Sequence, residues 1–525
     1  MATEKRQIQF HSSMNKDKRN ANFAYLRKNV LNESTPGLYP SKDYYLEEPH
    51  TGVNSAWDLL DVIGSDKADP NLGGNFDIKA IYDAGSDVRF FNLGSSSESN
   101  TALTGKSVLA TAFGVDGIYV LCNDKKVYRP NHSNSNTPEI GDLLGNSLGI
   151  EVGGFDGLRY WWAGNNGIWR QLPGEDGVQV MDTVGFEFTK MDFYRDYMVL
   201  FAQRNGKDVY VLFWDKQNTV AFTKRIIIRN AQLLAGGVVD GVLMCVYSVG
   251  DTTNAKEYEG KIVVSAFDGE NFKELNSIKA GREQVSITDT GLNGSSMDTG
   301  NEVMLFTVDD NERASKNPDL YQNYVYKVRN NGAIEVETLP ATNGSANYAN
   351  LARVFYNFNL VSVGSSGSEP AKIYINDETN RDFDDYEGYS TTEYITNFLN
   401  NPFNYHRLEG LSFAFEKFFK NTDNPSAPNG PEKMEVYCRT SERESFTLIG
   451  EITPALVIAN VDTRQDPTVA ATEIPVKKQI YQFTKRADGT TLPEYNEIQF
   501  KLKLFNGFSL IGAWYEYSYI TRNIL

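Results

Sequence analysis

The side chains able to do chemistry in this chain are few and scattered. Four histidines stand at His11, His50, His132 and His406, and three cysteines at Cys122, Cys245 and Cys438. General acid–base work needs a titratable group within hydrogen-bond reach of its partner. Only His406, in Asn404-Tyr405-His406-Arg407, offers itself as a neighbour for a carboxylate. The cysteines have neither zinc-site spacing nor the even count of a disulfide framework, so they read as buried thiols of a protein folded in a reducing cytoplasm. The acidic run Asp377, Glu378, Asp382, Asp384, Asp385 and Glu387 has the charge for calcium. It lacks the glycine and glutamate spacing of an EF-hand loop and reads as a solvated linker. Trp161, Trp162 and Trp169 flank Asn165-Asn166-Gly167, an arrangement able to stack on sugars, although aromatics at this density usually fill a core. Ser296-Met297-Asp298-Thr299-Gly300 is one imperfect copy of the sialidase surface motif, with Val303 where an aromatic belongs. No nucleophile elbow, phosphate loop, zincin pair or dinucleotide fingerprint occurs. The expectation is a protein without catalytic residues, cofactor or metal.

The elements around these residues repeat. Asp116, Asp156, Asp196 and Asp240 stand 40, 40 and 44 residues apart, and a short apolar run follows each. Examples are Ile118-Tyr119-Val120-Leu121 and Met198-Val199-Leu200-Phe201. Three of the aspartates precede glycine (Gly117, Gly157 and Gly241), a pairing that makes tight turns into strands. A period of about 40 to 45 residues made of short strands is the signature of a propeller blade. Extending the period back reaches Asp77, and forward Asp298, both expected as turn residues of further blades. Unit starts near 77, 116, 156, 196, 240, 298 and 357 give seven blades, or six if the first and last units complete one. Asp208 to Trp214, Val220 to Thr223 and Arg225 to Ile228 read as three strands of one unit separated by turns, the first turn at Asp215 to Asn218.

Composition supports an all-β chain: 525 residues, 40% hydrophobic and 12% aromatic, with 43 glycines for turns. The expected fold is a six- to seven-bladed β-propeller followed by a C-terminal β-sandwich, with an extended N-terminal arm. Residues 1–70 read as the arm and a short helix over Asn54 to Ile63, 71–385 as the propeller, and 386–525 as the sandwich. In the sandwich, Ile498 to Leu504 alternates strictly, turns at Asn506-Gly507 and takes Leu510 to Tyr519 as its hairpin partner. The net charge of −17 argues against a general nucleic-acid-binding surface. By contrast, the arm carries seven basic and two acidic residues up to Lys28, which suits docking on an acidic neighbouring subunit. No secretion signal is expected, and no apolar run reaches the roughly 18 residues that span a bilayer.

Two local features and the order of domains resemble the tail hub and nozzle proteins of short-tailed bacteriophages. One is Thr35-Pro36-Gly37-Leu38, similar to that family's Pro-Gly-Leu turn before the propeller; the other is the last strand pair, Ile498 to Tyr517. The resemblance implies a non-enzymatic virion protein of the phage tail, made in the host cytoplasm. Its implied partners are other copies in a hexameric ring, the portal-adaptor complex and further tail proteins. DNA would pass through the channel without specific binding, past a lumen whose acidity repels phosphate. The alternative is a carbohydrate- or receptor-binding propeller at the tail tip.

Overall fold

A computed structural model describes residues 3–11, 24, 26–28, 38, 45–47, 53, 57–68, 76–85, 87–93, 103–114, 117–129, 139–145, 147–204, 208–217, 220–249, 261–279, 293–299, 303–309, 324–338, 349–355, 358–363, 372–376, 391–399, 404–415, 433–441, 443–453, 479–505 and 510–520. Two compact units result. One takes Met1–Tyr44, Ala333–Pro340 and Asn380–Leu525, and the other Tyr45–Gly332 and Ala341–Thr379.

The chain opens with β1 (Thr3–Ile8), β2 (Leu26–Lys28) and β3 (Tyr45–Glu47). A first antiparallel sheet follows: β4 (Asp58–Ala68), β5 (Phe76–Asp83), β6 (Asp87–Leu93) and β7 (Leu103–Thr104). The second is β8 (Val108–Gly114), β9 (Gly117–Cys122), β10 (Lys126–Tyr128) and β11 (Glu139–Asp142). After a 3-10 turn at Ser147–Gly149 comes the third: β12 (Ile150–Phe155), β13 (Tyr160–Gly164), β14 (Gly167–Gln171) and β15 (Val178–Met181). The fourth is β16 (Glu187–Tyr194), β17 (Tyr197–Arg204), β18 (Asp208–Trp214) and β19 (Lys224–Arg229). The fifth is β20 (Ala231–Val239), β21 (Val242–Val249), β22 (Lys261–Phe267) and β23 (Phe272–Lys279). A sixth group holds β24 (Asn293–Thr299), β25 (Met304–Asp309) and β26 (Tyr324–Val328), after which β27 (Ile334–Thr338) belongs to the other unit. The seventh is β28 (Ala349–Phe355), β29 (Phe358–Val363) and β30 (Lys372–Asn376), with β3 as its outer strand.

These sheets are propeller-like. Their first strands touch in the order β4, β8, β12, β16, β20, β24, β28, and β28 touches β4. Strand alternation explains the packing, because successive side chains point to opposite faces. In β13, Trp162 packs with Tyr119 and Leu121 of the second sheet, whereas Trp161 packs with Met198, Leu200 and Trp214 of the fourth. In β17, Val199 and Phe201 instead meet Leu243 and Cys245 of the fifth sheet. The first sheet's Val62, Ala80 and Tyr82 pack with Leu360 and Ile373 of the seventh. Strands covered on both faces need continuous apolar runs, and Met198 to Ala202 is buried at every position.

Three expectations for this unit are corrected. First, the helix expected over Asn54 to Ile63 is the strand β4, which pairs with β5. A bulge between Leu59 and Asp61 inserts Leu60 and breaks the alternation, so the apolar spacing imitates a helix. Each first strand carries such a bulge: Val108/Ala110, Ile150/Val152, Phe188/Lys190, Leu233/Ala235, Gly294/Ser296 and Ala349/Leu351 complete the set. Second, Asp77 lies inside β5 and Asp298 inside β24, so neither is a turn residue. The even period fails there because the connections differ in length. Third, the regular aspartates do not begin their sheets: Asp156, Asp196 and Asp240 join first strand to second, so each sheet starts one strand earlier.

The other unit continues with β31 (Thr392–Ile395), β32 (His406–Phe415), β33 (Lys433–Arg439), β34 (Thr447–Ile452), β35 (Gln479–Phe483), β36 (Glu494–Tyr495), β37 (Gln499–Phe505) and β38 (Gly512–Tyr519). One sheet runs β1-β38-β32-β35, with β36 also on β32. A second runs β2-β31-β37-β33-β34, and β27 lies parallel to β2 through Lys28 and Val336. Leu411, Phe413 and Tyr515 of the one and Val436, Leu502 and Leu504 of the other share a core. The expected closing hairpin is corrected here. β37 pairs with β31 and β33, while β38 pairs with β1 and β32, so the last two strands belong to different sheets. A period-2 pattern on both sides of Asn506-Gly507 does not tell a hairpin from a crossing. Nor is the arm over 1–70 a separate piece: β1 and β2 join this unit, β3 and β4 the other.

Candidate functional site

Side chains with chemical potential gather in three places: the turns between first and second strands, the first strands themselves, and the β1 corner of the C-terminal unit.

Asp156 heads the turn between β12 and β13. Its Oδ1 accepts the amides of Leu158 (3.0 Å) and Arg159 (2.8 Å), and its Oδ2 accepts the Trp161 indole N–H at 2.8 Å and Lys216 Nζ at 3.3 Å. Gly157 takes φ +93°, a left-handed conformation that glycine adopts without steric cost. Burial raises the acid's pKa, but the indole, the two amides and the lysine outweigh it and hold the carboxyl below the ordinary range. The same turn recurs at Asp268, whose Oδ1 takes the amides of Glu270 and Asn271, both at 2.8 Å. Asp240 (φ +46°) and Gly241 (φ +75°) form the two-residue turn expected of Asp-Gly, and Asp240 Oδ2 accepts Asn330 Nδ2 at 2.7 Å. At Asp196 the left-handed residue is Arg195, φ +54°. Asp116 lies outside the described residues, while Gly117 opens β9.

Carboxylates on the first strands tie one sheet to the next. Glu151 Oε2 accepts the Phe188 amide of the fourth sheet at 2.6 Å, and Asp192 Oδ2 accepts the Val238 amide of the fifth at 2.7 Å. Asp61 accepts its own neighbour Val62 N, the Thr111 hydroxyl of the second sheet and Arg353 of the seventh. Burial pushes the Glu151 carboxyl up, against the pull of the Phe188 amide. Close approach leaves little room between these strands: a Cβ on Gly153 would stand 2.6 Å from the Thr111 carbonyl oxygen of the neighbouring first strand. Each of these acids thus bonds at least one group of a neighbouring sheet, an architectural role.

The third place is His406, 3% exposed and surrounded by the rings of Tyr495 (5.5 Å), Tyr517 (5.0 Å) and Tyr519 (5.0 Å). Its Nδ1 is buried with no hydrogen-bond partner. Above it, Tyr517 OH donates to Glu4 Oε2 at 2.6 Å, and the Arg6 guanidinium lies 5.3 Å from the Tyr517 ring. Burial and then the Arg6 charge push the imidazole below its usual pKa, against the Tyr495 backbone and Glu4. A neutral histidine in an aromatic cage lacks the paired carboxylate that the sequence held out for it.

The remaining candidates fall as follows. Trp161, Trp162 and Trp169 are at most 1% exposed, so none offers a sugar platform. All three cysteines are buried free thiols, with burial pushing Cys122 up to about 12 and Cys438 to about 11. His11 donates its backbone N–H to Tyr394 OH at 2.9 Å. His50, His132, the acidic run over 377–387 and residues 35–37 lie outside the described residues. No group of three metal-ligating side chains occurs among the described residues, and no helix among them is long and apolar enough to cross a membrane. Sequence reasoning missed the tying role of Asp61, Glu151 and Asp192, because it did not place the first strands that carry them.

No protein-family model and no curated relative matches the chain. Among solved structures, "YCF48 bound to D1 peptide" aligns at 10% identity over 65% of this chain and 99% of that one, TM-score 0.43. The WD40 β-propeller domain of Doa1 aligns at 11% identity over 65% and 99%, TM-score 0.40. The computationally designed Ika8 protein aligns at 10% identity over 70% and 98%, TM-score 0.38.

Proposed function

We propose that this chain is a non-enzymatic assembly protein of a short-tailed phage tail, a hub or nozzle subunit built as a seven-bladed β-propeller with a β-sandwich. The seven-blade count is supported by the cyclic contacts of the first strands and by the packing of the first sheet on the seventh.

The observation that carries the tail reading is at Leu38. This residue closes the Thr35-Pro36-Gly37-Leu38 segment and forms a two-way bridge with Leu510: Leu38 N to Leu510 O at 2.7 Å, and Leu510 N to Leu38 O at 3.0 Å. Both are at most 1% exposed. Leu38, the last residue of that segment, is thus paired just ahead of the last strand, which supports a link between the two features on which the resemblance rests, although the last two strands belong to different sheets. The commitment of the inner carboxylates to backbone amides fits a part selected for shape.

Light scattering and negative-stain imaging of the purified protein, alone and with portal-adaptor complexes, test the proposal. A closed ring or a defined complex supports it. A protein that stays monomeric with adaptor present, and binds glycans saturably on an array, overturns it in favour of a receptor binder.

A further inference from the structure

Among the described residues the outer strands β11, β15 and β19 each end a four-stranded sheet, and they differ in charge. β11 reads Glu139-Ile140-Gly141-Asp142 and β15 Val178-Gln179-Val180-Met181, whereas β19 reads Lys224-Arg225-Ile226-Ile227-Ile228-Arg229. Three cations and no anion in six residues reverse the sign of a chain with 68 acidic and 51 basic residues. Register sorts β19 into two faces. Ile226 and Ile228 turn toward the fifth sheet's core. Arg225, Ile227 and Arg229 stand exposed in a row, and Ile227 keeps 40% of its surface in solvent.

Apolar surface continues from that row. Arg225 lies 5.4 Å from the Phe186 ring, and Phe186 meets Phe222 edge-on at 6.2 Å. Two residues before each ring stand Val184, 85% exposed, and Val220, 84% exposed. No other large apolar side chain among the described residues is as exposed as these two. Edge strands are commonly protected by charge alone. Here the charges flank an exposed isoleucine beside an apolar patch.

We infer that the free edge of β19 is a docking site for an acidic extended segment of a partner protein, added to the fourth sheet as a fifth strand. Main-chain hydrogen bonds would hold it, as in other strand additions. Acidic side chains four residues apart would face Arg225 and Arg229, with an apolar one midway between them over Ile227. The inference stands on this edge alone and is independent of the tail reading.

The test uses the full chain and a labelled, acetylated heptapeptide with glutamate at its second and sixth positions, valine at its fourth and threonine elsewhere, so that one face carries acid, apolar group and acid, followed by fluorescence anisotropy. Saturable binding is expected, weakened about tenfold by Arg225→Glu with Arg229→Glu, since cross-strand charge pairs turn from attraction to repulsion. Both arginines are exposed, and circular dichroism checks that the variant stays folded. The same peptide N-methylated on alternate residues, made in both registers, should lose binding in one register because one edge of its backbone is blocked. Equal binding by both methylated peptides, or by the variant, reduces the effect to loose electrostatic adhesion and overturns the inference. So does the absence of binding up to about 1 mM, where any affinity is weaker than roughly 4 kcal/mol. If the variant instead turns an oligomer into monomers while the peptide does not bind, the edge is a contact between copies and the inference fails.

Discussion

Replacing Asp156 with alanine measures how much one turn carboxylate contributes to the propeller unit. Four donors converge on it, and they differ in what they lose. The Trp161 indole is 1% exposed, so its N–H would be left buried and unpaired, at a cost of about 1–3 kcal/mol. The amides of Leu158 and Arg159 stand in a turn that water reaches, and together lose about 1 kcal/mol, as at a removed helix cap. Lys216, a quarter exposed, adds about 0.5 kcal/mol. The sum is about 2.5–4.5 kcal/mol. Five of the six tryptophans (Trp57, Trp161, Trp162, Trp169 and Trp214) lie in this unit, so tryptophan fluorescence during urea unfolding reports on it. A double-mutant cycle with Trp161→Phe isolates the indole bond, and a coupling of about 1–2 kcal/mol is expected. Single-variant losses under about 0.5 kcal/mol, or zero coupling, would refute the reasoning.

Other consequences follow from the same geometry. Because the folded pKa of His406 is depressed below its unfolded value of about 6.5, the unfolded chain takes up the proton first. Stability should therefore fall as pH drops below about 6.5, by up to about 1.4 kcal/mol per unit until the folded histidine also titrates. His406→Phe should flatten that slope in melts of the C-terminal unit, and an unchanged slope would count against it. Gly153→Ala sets a Cβ 2.6 Å from the Thr111 carbonyl oxygen, so a loss of about 1–3 kcal/mol is expected in the same urea assay. Cys122, Cys245 and Cys438 should resist a thiol reagent in the native protein and react in urea; fast labelling of any of them in the folded state would contradict their burial.

The readable part of this fold was the part whose period follows chain chemistry. Asp-Gly turns and apolar runs of β17 and β21 revealed both the repeat and its spacing, because tight turns need residues tolerant of left-handed backbone. The first strands were hidden. A bulge in each inserts one residue, so Leu59-Leu60 in β4 read as a helix face. The closing hairpin failed for a related reason: alternation fixes which side of a strand is buried, but the partner strand is set by a chain path longer than the turn. As for the site, the burial of the three cysteines was legible from their place in apolar runs. The inter-sheet bonds of Asp61, Glu151 and Asp192 were not, since their acceptors' partners lie in other sheets.

Closure of the propeller unit draws on chain ends that are far apart in sequence. β3 pairs with β30 in register from Tyr45↔Ile375 to Glu47↔Ile373, so a segment ahead of the first sheet completes the last. Arg353 reaches Asp61 across the same seam, and Asp61 in turn takes the Thr111 hydroxyl of the second sheet. Leu360 and Ile373 pack there against Val62, Ala80 and Tyr82. Three kinds of bond thus meet at one joint: backbone pairing at the rim, an ion pair on the first strands and apolar packing between them. Splitting this joint would leave the Asp61 carboxylate, 8% exposed, without the cation that offsets its burial. It would also bare two core faces at once. Opening at the seam therefore costs more than fraying any single outer strand, because backbone pairing, an ion pair and apolar packing would be lost together.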